Sequence, residues 1–178
     1  MGIEHTSVPR WPAEPPTFDG RARSVTLLGL DAGAQPVVAQ WVAQARAAGV
    51  PSSSLVIDDV NAAVQHLERE MASAVVGWRL LVAGPEAGVL TVSAAARSLG
   101  AVGGEVLAHV TGVPLRRLHC AHCDAVTPTD VAIGGTVACV GCGRSLHLYH
   151  HVSRRLGAYL GYMVDAEEHE PGPVLTDA

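Results

Sequence analysis

The sequence predicts a protein of the α/β class, with a small four-cysteine module after a parallel-sheet unit. Three observations predict it. Strand and helix signals alternate strictly from Ser24 to Val110. All four cysteines fall in two matched pairs, Cys120-x2-Cys123 and Cys139-x2-Cys142, separated by fifteen residues. Hydrophobic residues make up 48% of the 178, but only seven are aromatic, so the core must be aliphatic, of Ala, Val and Leu.

The elements follow in order. Ser24–Leu30 is a short apolar strand. Pro36–Ala48 sets Val37, Val38, Trp41, Val42 and Ala45 on one helical face, and Gly49 stops it. Leu55–Asp58 is a second strand. Asn61 caps a helix whose stripe is Val64, Leu67, Met71 and Val75, ended by Gly77. Trp78–Ala83 is the third strand. Pro85–Leu99 is a helix with Val89, Val92, Ala96 and Leu99 inward and Gly100 beyond its end. Glu105–Val110 is the fourth strand. Short β-to-α connections of this kind imply a parallel sheet with helices on both faces. The fold class is therefore a small Rossmann-like domain over 21–113, followed by a zinc-ribbon module over 114–163. Residues 1–20, with four prolines, read as an extended arm, either a disordered leader or a strap on a neighbour. Residues 164–178 read as a flexible acidic tail. In the module Leu146–Val152 alternates like a strand, and Ser153–Met163 is ambiguous between strand and helix.

Cys120, Cys123, Cys139 and Cys142 are the candidate metal ligands. Two residues between paired cysteines aim both sulfurs of a tight turn at one centre, and two such turns make the thiolate tetrahedron that Zn2+ prefers. Gly143 suits the turn after the second pair, and Asp124 takes the same place after the first. A mononuclear iron site would accept the same donors, a [2Fe–2S] cluster usually has other spacings, and two redox disulfides are a further alternative. A closed four-thiolate site has no open position and is assigned no catalysis. His119, His122, His147, His150 and His151 surround the pairs without the carboxylates or spacing of a catalytic metal motif.

Charge narrows the partners. Residues 1–113 hold seven Arg and ten acids, 114–163 five Arg and two acids, and 164–178 five acids, for a net charge of −5. A four-thiolate zinc centre would largely cancel the excess of Arg on the module. No basic stripe for nucleic acid remains. No apolar run is long enough to cross a membrane, and the polar, proline-rich N-terminus does not read as a signal peptide. Metal-spaced cysteines then point to a reducing cytoplasm. At the carboxyl ends of the predicted strands lie Asp31, Asp58, Asp59 and Glu86, with no G-x-G-x-x-G. Four acids and no Arg disfavour a pyrophosphate there, although Asp58 or Asp59 could hold a ribose hydroxyl. No Ser-His-Asp, Cys-His or paired-carboxylate arrangement can be inferred, so no catalytic residue is assigned.

Two stretches carry a resemblance. Cys120–Cys142, running on into GRSLHLYHHVSRRLGAYLGYM, resembles the C-terminal domain of the DmmA-like subunit of dimethylamine monooxygenase. WRLLVAGPEAGVLTVSAAARSLGAVGGEV resembles that family's N-terminal domain, and more loosely the NAD-binding half of ferredoxin-reductase-type proteins. The resemblance implies a multisubunit, haem-dependent oxidative N-demethylase that uses NADPH and O2 to convert dimethylamine to methylamine and formaldehyde. One partner subunit would carry haem, and another, a reductase, FMN and a 2Fe–2S cluster. This chain would be a small zinc-containing accessory subunit that serves assembly or organises electron transfer. The alternative is an NAD(P)H-binding subunit of a reductase complex. Arg154, Arg155, Tyr159 and Tyr162 are the candidate contacts with partner subunits, because Arg and Tyr join a large contact area to polar groups.

Overall fold

A computed structural model of the chain describes residues 6–164. Strands β1 (Ser24–Gly29), β2 (Ser52–Val56), β3 (Trp78–Pro85) and β4 (Val106–Gly112) form a wholly parallel sheet in the order β2-β1-β3-β4. The helices are α1 (Gln35–Ala47), α2 (Val60–Met71) and α3 (Glu86–Ser98). Alternate residues of β1 and β3 serve opposite faces, as the period of two requires. Leu28, Leu80 and Val82 join Leu67 of α2 and Val89 and Val92 of α3. Val25, Leu27, Leu81 and Ala83 join Val38, Trp41 and Ala45 of α1. The helices on both faces are thus as the alternation predicts.

Several boundaries differ from the sequence expectation. The second strand starts at Ser52, because the serines pair with β1 from Val25↔Ser52 onward. Asp59, not Asn61, caps α2, and its carboxylate accepts the N–H groups of Asn61 and Ala62. The helix ends at Met71, so Val75 lies beyond the buried stripe and is exposed. Pro85 closes β3, and α3 begins at Glu86. The fourth strand begins at Val106, because Gly103–Glu105 form a 3-10 turn.

A second sheet of five strands follows, in the order β6-β5-β9-β8-β7. These are β5 (Arg116–Cys120), β6 (Val126–Thr129), β7 (Thr136–Ala138), β8 (Ser145–Ser153) and β9 (Ala158–Met163). The ambiguous stretch after Ser153 resolves as a turn and then β9, which lies antiparallel to β8 and parallel to β5. Between Leu148 and Val152 the β8 register shifts: four steps on β8 oppose two on β9, from Gly161 to Tyr159.

The two sheets share a buried seam. Leu90 of α3 packs with Leu118, Leu146, Leu148, Val152 and Tyr159. At its centre is the Glu86 carboxylate, 2% exposed, which accepts the Trp11 indole N–H at 2.8 Å and the Tyr159 hydroxyl at 3.2 Å. The described part of the arm therefore packs against the body. The Ser7 hydroxyl accepts the Val152 N–H, and Trp41 donates its indole N–H to the Pro16 carbonyl. Gly157 (φ +59°) turns the chain against α3, where a Cβ would lie 2.5 Å from the Leu90 carbonyl oxygen. Among the described residues no helix is long and apolar enough to cross a membrane. The acidic tail expected from residue 164 lies, from Asp165 on, outside the described residues.

Two outcomes are expected from this seam. Tyr159→Phe leaves a buried carboxylate one donor short and should cost about 1–3 kcal/mol in urea unfolding. Gly157→Ala should cost more, because φ and the Leu90 carbonyl both oppose the new methyl. Burial, the Glu86 charge and the hydrogen bond to Glu86 push the Tyr159 hydroxyl up from 10 to about 12. The folded protein then holds a proton that the unfolded chain releases, so Tyr159's contribution is whole below pH 10 and is lost as pH rises towards 12. Alkaline unfolding of the wild type should show this loss, and Tyr159→Phe should not.

Candidate metal centre

The strand ends deliver the cysteines. Cys120 is the last residue of β5, and a turn through Cys123 leads into β6. Cys139 follows β7 directly, and a turn through Cys142 leads into β8. The two turns repeat one hydrogen-bond pattern. The Cys120 N–H donates to the Ala125 carbonyl at 2.9 Å and the Asp124 N–H to the Cys120 carbonyl at 3.0 Å. Likewise the Cys139 N–H donates to the Arg144 carbonyl at 2.9 Å and the Gly143 N–H to the Cys139 carbonyl at 2.9 Å. Both turns close through a left-handed residue, Gly143 at φ 72° and Asp124 at φ 60°. For Asp124 this conformation costs about 1–2 kcal/mol, less than a branched residue would pay because its short polar chain bonds locally. Its carboxylate lies 3.3 Å from His119 Nε2.

The four sulfurs lie within 4.8 Å of one another. Cys120 and Cys142 are 3.8 Å apart, and Cys123 and Cys139 3.6 Å. A disulfide needs about 2.05 Å, so these are four separate thiols. A tetrahedral ion with bonds of about 2.3 Å to sulfur has edges of about 3.8 Å, which the two close pairs match. Gly141 lets the turns approach this closely: a Cβ there would sit 2.7 Å from Ala125 Cβ and 3.0 Å from Cys123 Sγ. The Val140 N–H, donating to Thr127 Oγ1 at 3.2 Å, ties the second turn to β6.

The electrostatics favour a bound cation. The N–H groups of Cys142 and Gly141 point at the Cys139 sulfur and bring its thiol down to about 6. The Ala125 N–H favours ionised Cys123, but loss of hydration and the other three sulfurs outweigh it, and that thiol rises to about 12. Four crowded sulfurs cannot all ionise together unless a cation neutralises them. The donor set thus suits a metal ion held by all four cysteines, with no position left for a substrate. Among the described residues this is the one group of His, Cys, Asp and Glu side chains placed to hold a metal. The histidines of β8 are spread out instead. His147 lies against Tyr162, and His151 against Tyr149.

The four contact candidates do not form one patch. Arg154 and Arg155 are exposed in the β8–β9 turn. Tyr162 is exposed on the outer face of β9 opposite His147, four residues beyond Ala158 and so about 13 Å along the strand. Tyr159 requires a correction. It is 2% exposed and its hydroxyl is spent on Glu86, so a partner subunit cannot reach it. Three of the four acids at the carboxyl ends of the parallel strands also have internal work, and Asp58 is exposed. Asp31 accepts the Ala34 N–H, Asp59 caps α2, and Glu86 fills the N-terminus of α3 beneath Trp11 and Tyr159. The sequence set Glu86 among four acids that disfavour a pyrophosphate at the strand ends. Only its position at the junction of an apolar strand and a helix hinted at burial.

Residues 117–162 match the family described as dimethylamine monooxygenase subunit DmmA-like, C-terminal domain. The chain is also 36% identical over 102 residues to the heme-dependent oxidative N-demethylase delta subunit of Ectopseudomonas mendocina (strain ymp). That alignment covers 57% of this chain and 57% of the relative. No solved structure matches. The two matches support a DmmA-like subunit, as the resemblance in the sequence implies.

Gly141→Ala tests the geometry of the centre. The added methyl must push the two turns apart, so metal retained per chain after challenge with a chelator should fall sharply. Gly134→Ala, in a left-handed turn whose added Cβ meets open space, should strain its own backbone and leave metal retention unchanged.

Proposed function

We propose that this chain is a small, zinc-containing, non-catalytic subunit of a haem-dependent oxidative N-demethylase. In this reading the complex takes dimethylamine to methylamine and formaldehyde with NADPH and O2, in the cytoplasm. Haem resides on one partner subunit, FMN and a 2Fe–2S cluster on a reductase subunit. Cys120, Cys123, Cys139 and Cys142 hold Zn2+, whose role is to fold the module that spans 114–163, after the α/β unit of 21–113. A module this small supplies little apolar burial of its own, so metal binding contributes directly to its folding.

The observation that carries this reading is the closed four-sulfur cage inside the stretch that matches the DmmA-like domain. Such a cage offers no open coordination site, and a subunit built around it organises others. The alternative of an NAD(P)H-binding subunit is less well supported. The switch point lies between β1 and β3, and there Asp31 precedes α1 and the Glu86 carboxylate occupies the N-terminus of α3 beneath two donors.

The purified complex, with its subunits separated, should yield one zinc per copy of this chain. The isolated chain should be colourless, should not demethylate dimethylamine or oxidise NADPH, and should raise the activity of the remaining subunits when added back. Iron in place of zinc, with strong thiolate-to-iron absorption, would overturn the zinc assignment. Full activity without the chain would overturn the accessory role.

A further inference from the structure

Where β8 begins and β9 ends, beside the first cysteine turn, lies a pocket that the metal centre does not use. It measures about 340 Å³ and is lined by Ala121, His122, Arg144, Leu146, Tyr162 and Met163. Its walls are apolar, and its cationic group is Arg144. This half-buried guanidinium donates to the thioether of Met163, a weak acceptor. Among the described residues it has no carboxylate partner. Tyr162 and Tyr149 stand edge to face beside the pocket, 5.6 Å between ring centroids, both exposed. The rim continues with His147. A cation spent on a thioether, beside exposed tyrosines and above an apolar floor, is half of an interface: aromatic anchors with a charge awaiting its complement.

We propose that this pocket is the docking site for an acidic segment of another subunit of the complex, which inserts one apolar side chain and sets a carboxylate on Arg144. The charge of the rim selects the partner. The floor formed by Leu146 and Met163 takes an aliphatic or aromatic side chain, and a carboxylate at the mouth replaces the thioether as the acceptor for Arg144 with a bidentate, charge-assisted pair. Because Ala121 and His122 belong to the first cysteine turn, the metal centre fixes one wall of the pocket and so links metal binding to assembly. The inference rests on the subunit role proposed above.

The test uses the assembled complex. Tyr162→p-benzoylphenylalanine, irradiated in the intact complex, should cross-link to one acidic segment of another subunit. The same photoreactive residue at Val76, exposed on the parallel-sheet unit, should not. Arg144→Glu should lower retention of the chain in the complex by about tenfold or more, the size expected of an interface anchor, with metal content unchanged. Should Arg144→Glu lose metal, Met163→Asp serves in its place, because it alters the floor and no ligand. An intact complex with no cross-link from position 162, a cross-link to a segment without acids, or unchanged retention of both variants would overturn the docking site while leaving the subunit role intact. Failure of the wild-type chain to co-purify with any other subunit would overturn both.

Discussion

The buried carboxylate of Glu86 is the interaction on which the arrangement of this chain depends. It is the first residue of α3, where the helix N-terminus favours negative charge. It is also reached from far away in sequence, by Trp11 of the arm and by Tyr159 of β9. One side chain thus ties the parallel sheet, the second sheet and the arm together. A charge taken out of water is costly unless its hydrogen bonds are satisfied, so any motion that parts the three pieces exposes an unpaired carboxylate to apolar surroundings. Gly157 and Leu90 seal the same seam with apolar contact.

The metal centre depends on that seam only indirectly. Its two turns are local, each closed within six residues by the same pair of backbone hydrogen bonds. What must be brought together from a distance is one turn against the other. Pairing of β7 with β8, of β8 with β9 and of β9 with β5 does this. Tyr159 lies on β9 between them, opposite Leu118 of β5 and Val152 of β8. The strand that joins the two cysteine turns therefore also joins the module to α3. That continuity gives the four-cysteine site a structural consequence for the whole chain.

At the carboxyl ends of the parallel strands, where open sheets commonly offer a crevice to nucleotides, Asp31, Asp59 and Glu86 have internal partners. Tyr149 and Tyr162 lie on the face of the second sheet opposite Leu146 and Leu148, which pack with Leu90 of α3, and the pocket sits at the strand ends between the two faces. The two faces of that sheet thus differ, one packed within the chain and the other exposed.

The sequence by itself determined the parts whose physics is local. Apolar period and glycine stops predicted three helices and four strands, with boundaries shifted by a few residues where capping chemistry or pairing decided. The C-x2-C spacing predicted the metal cage, because two intervening residues suffice to aim both sulfurs. The tertiary structure alone decided what couples distant residues. Burial of Glu86 needs Trp11, 75 residues earlier, and Tyr159, 73 residues later, and no local pattern encodes either. Tyr159 and Tyr162 looked alike in sequence, three residues apart in one aromatic run. Strand alternation around the β8 bulge put the first into the seam and left the second on the surface, since successive side chains of a strand point to opposite faces.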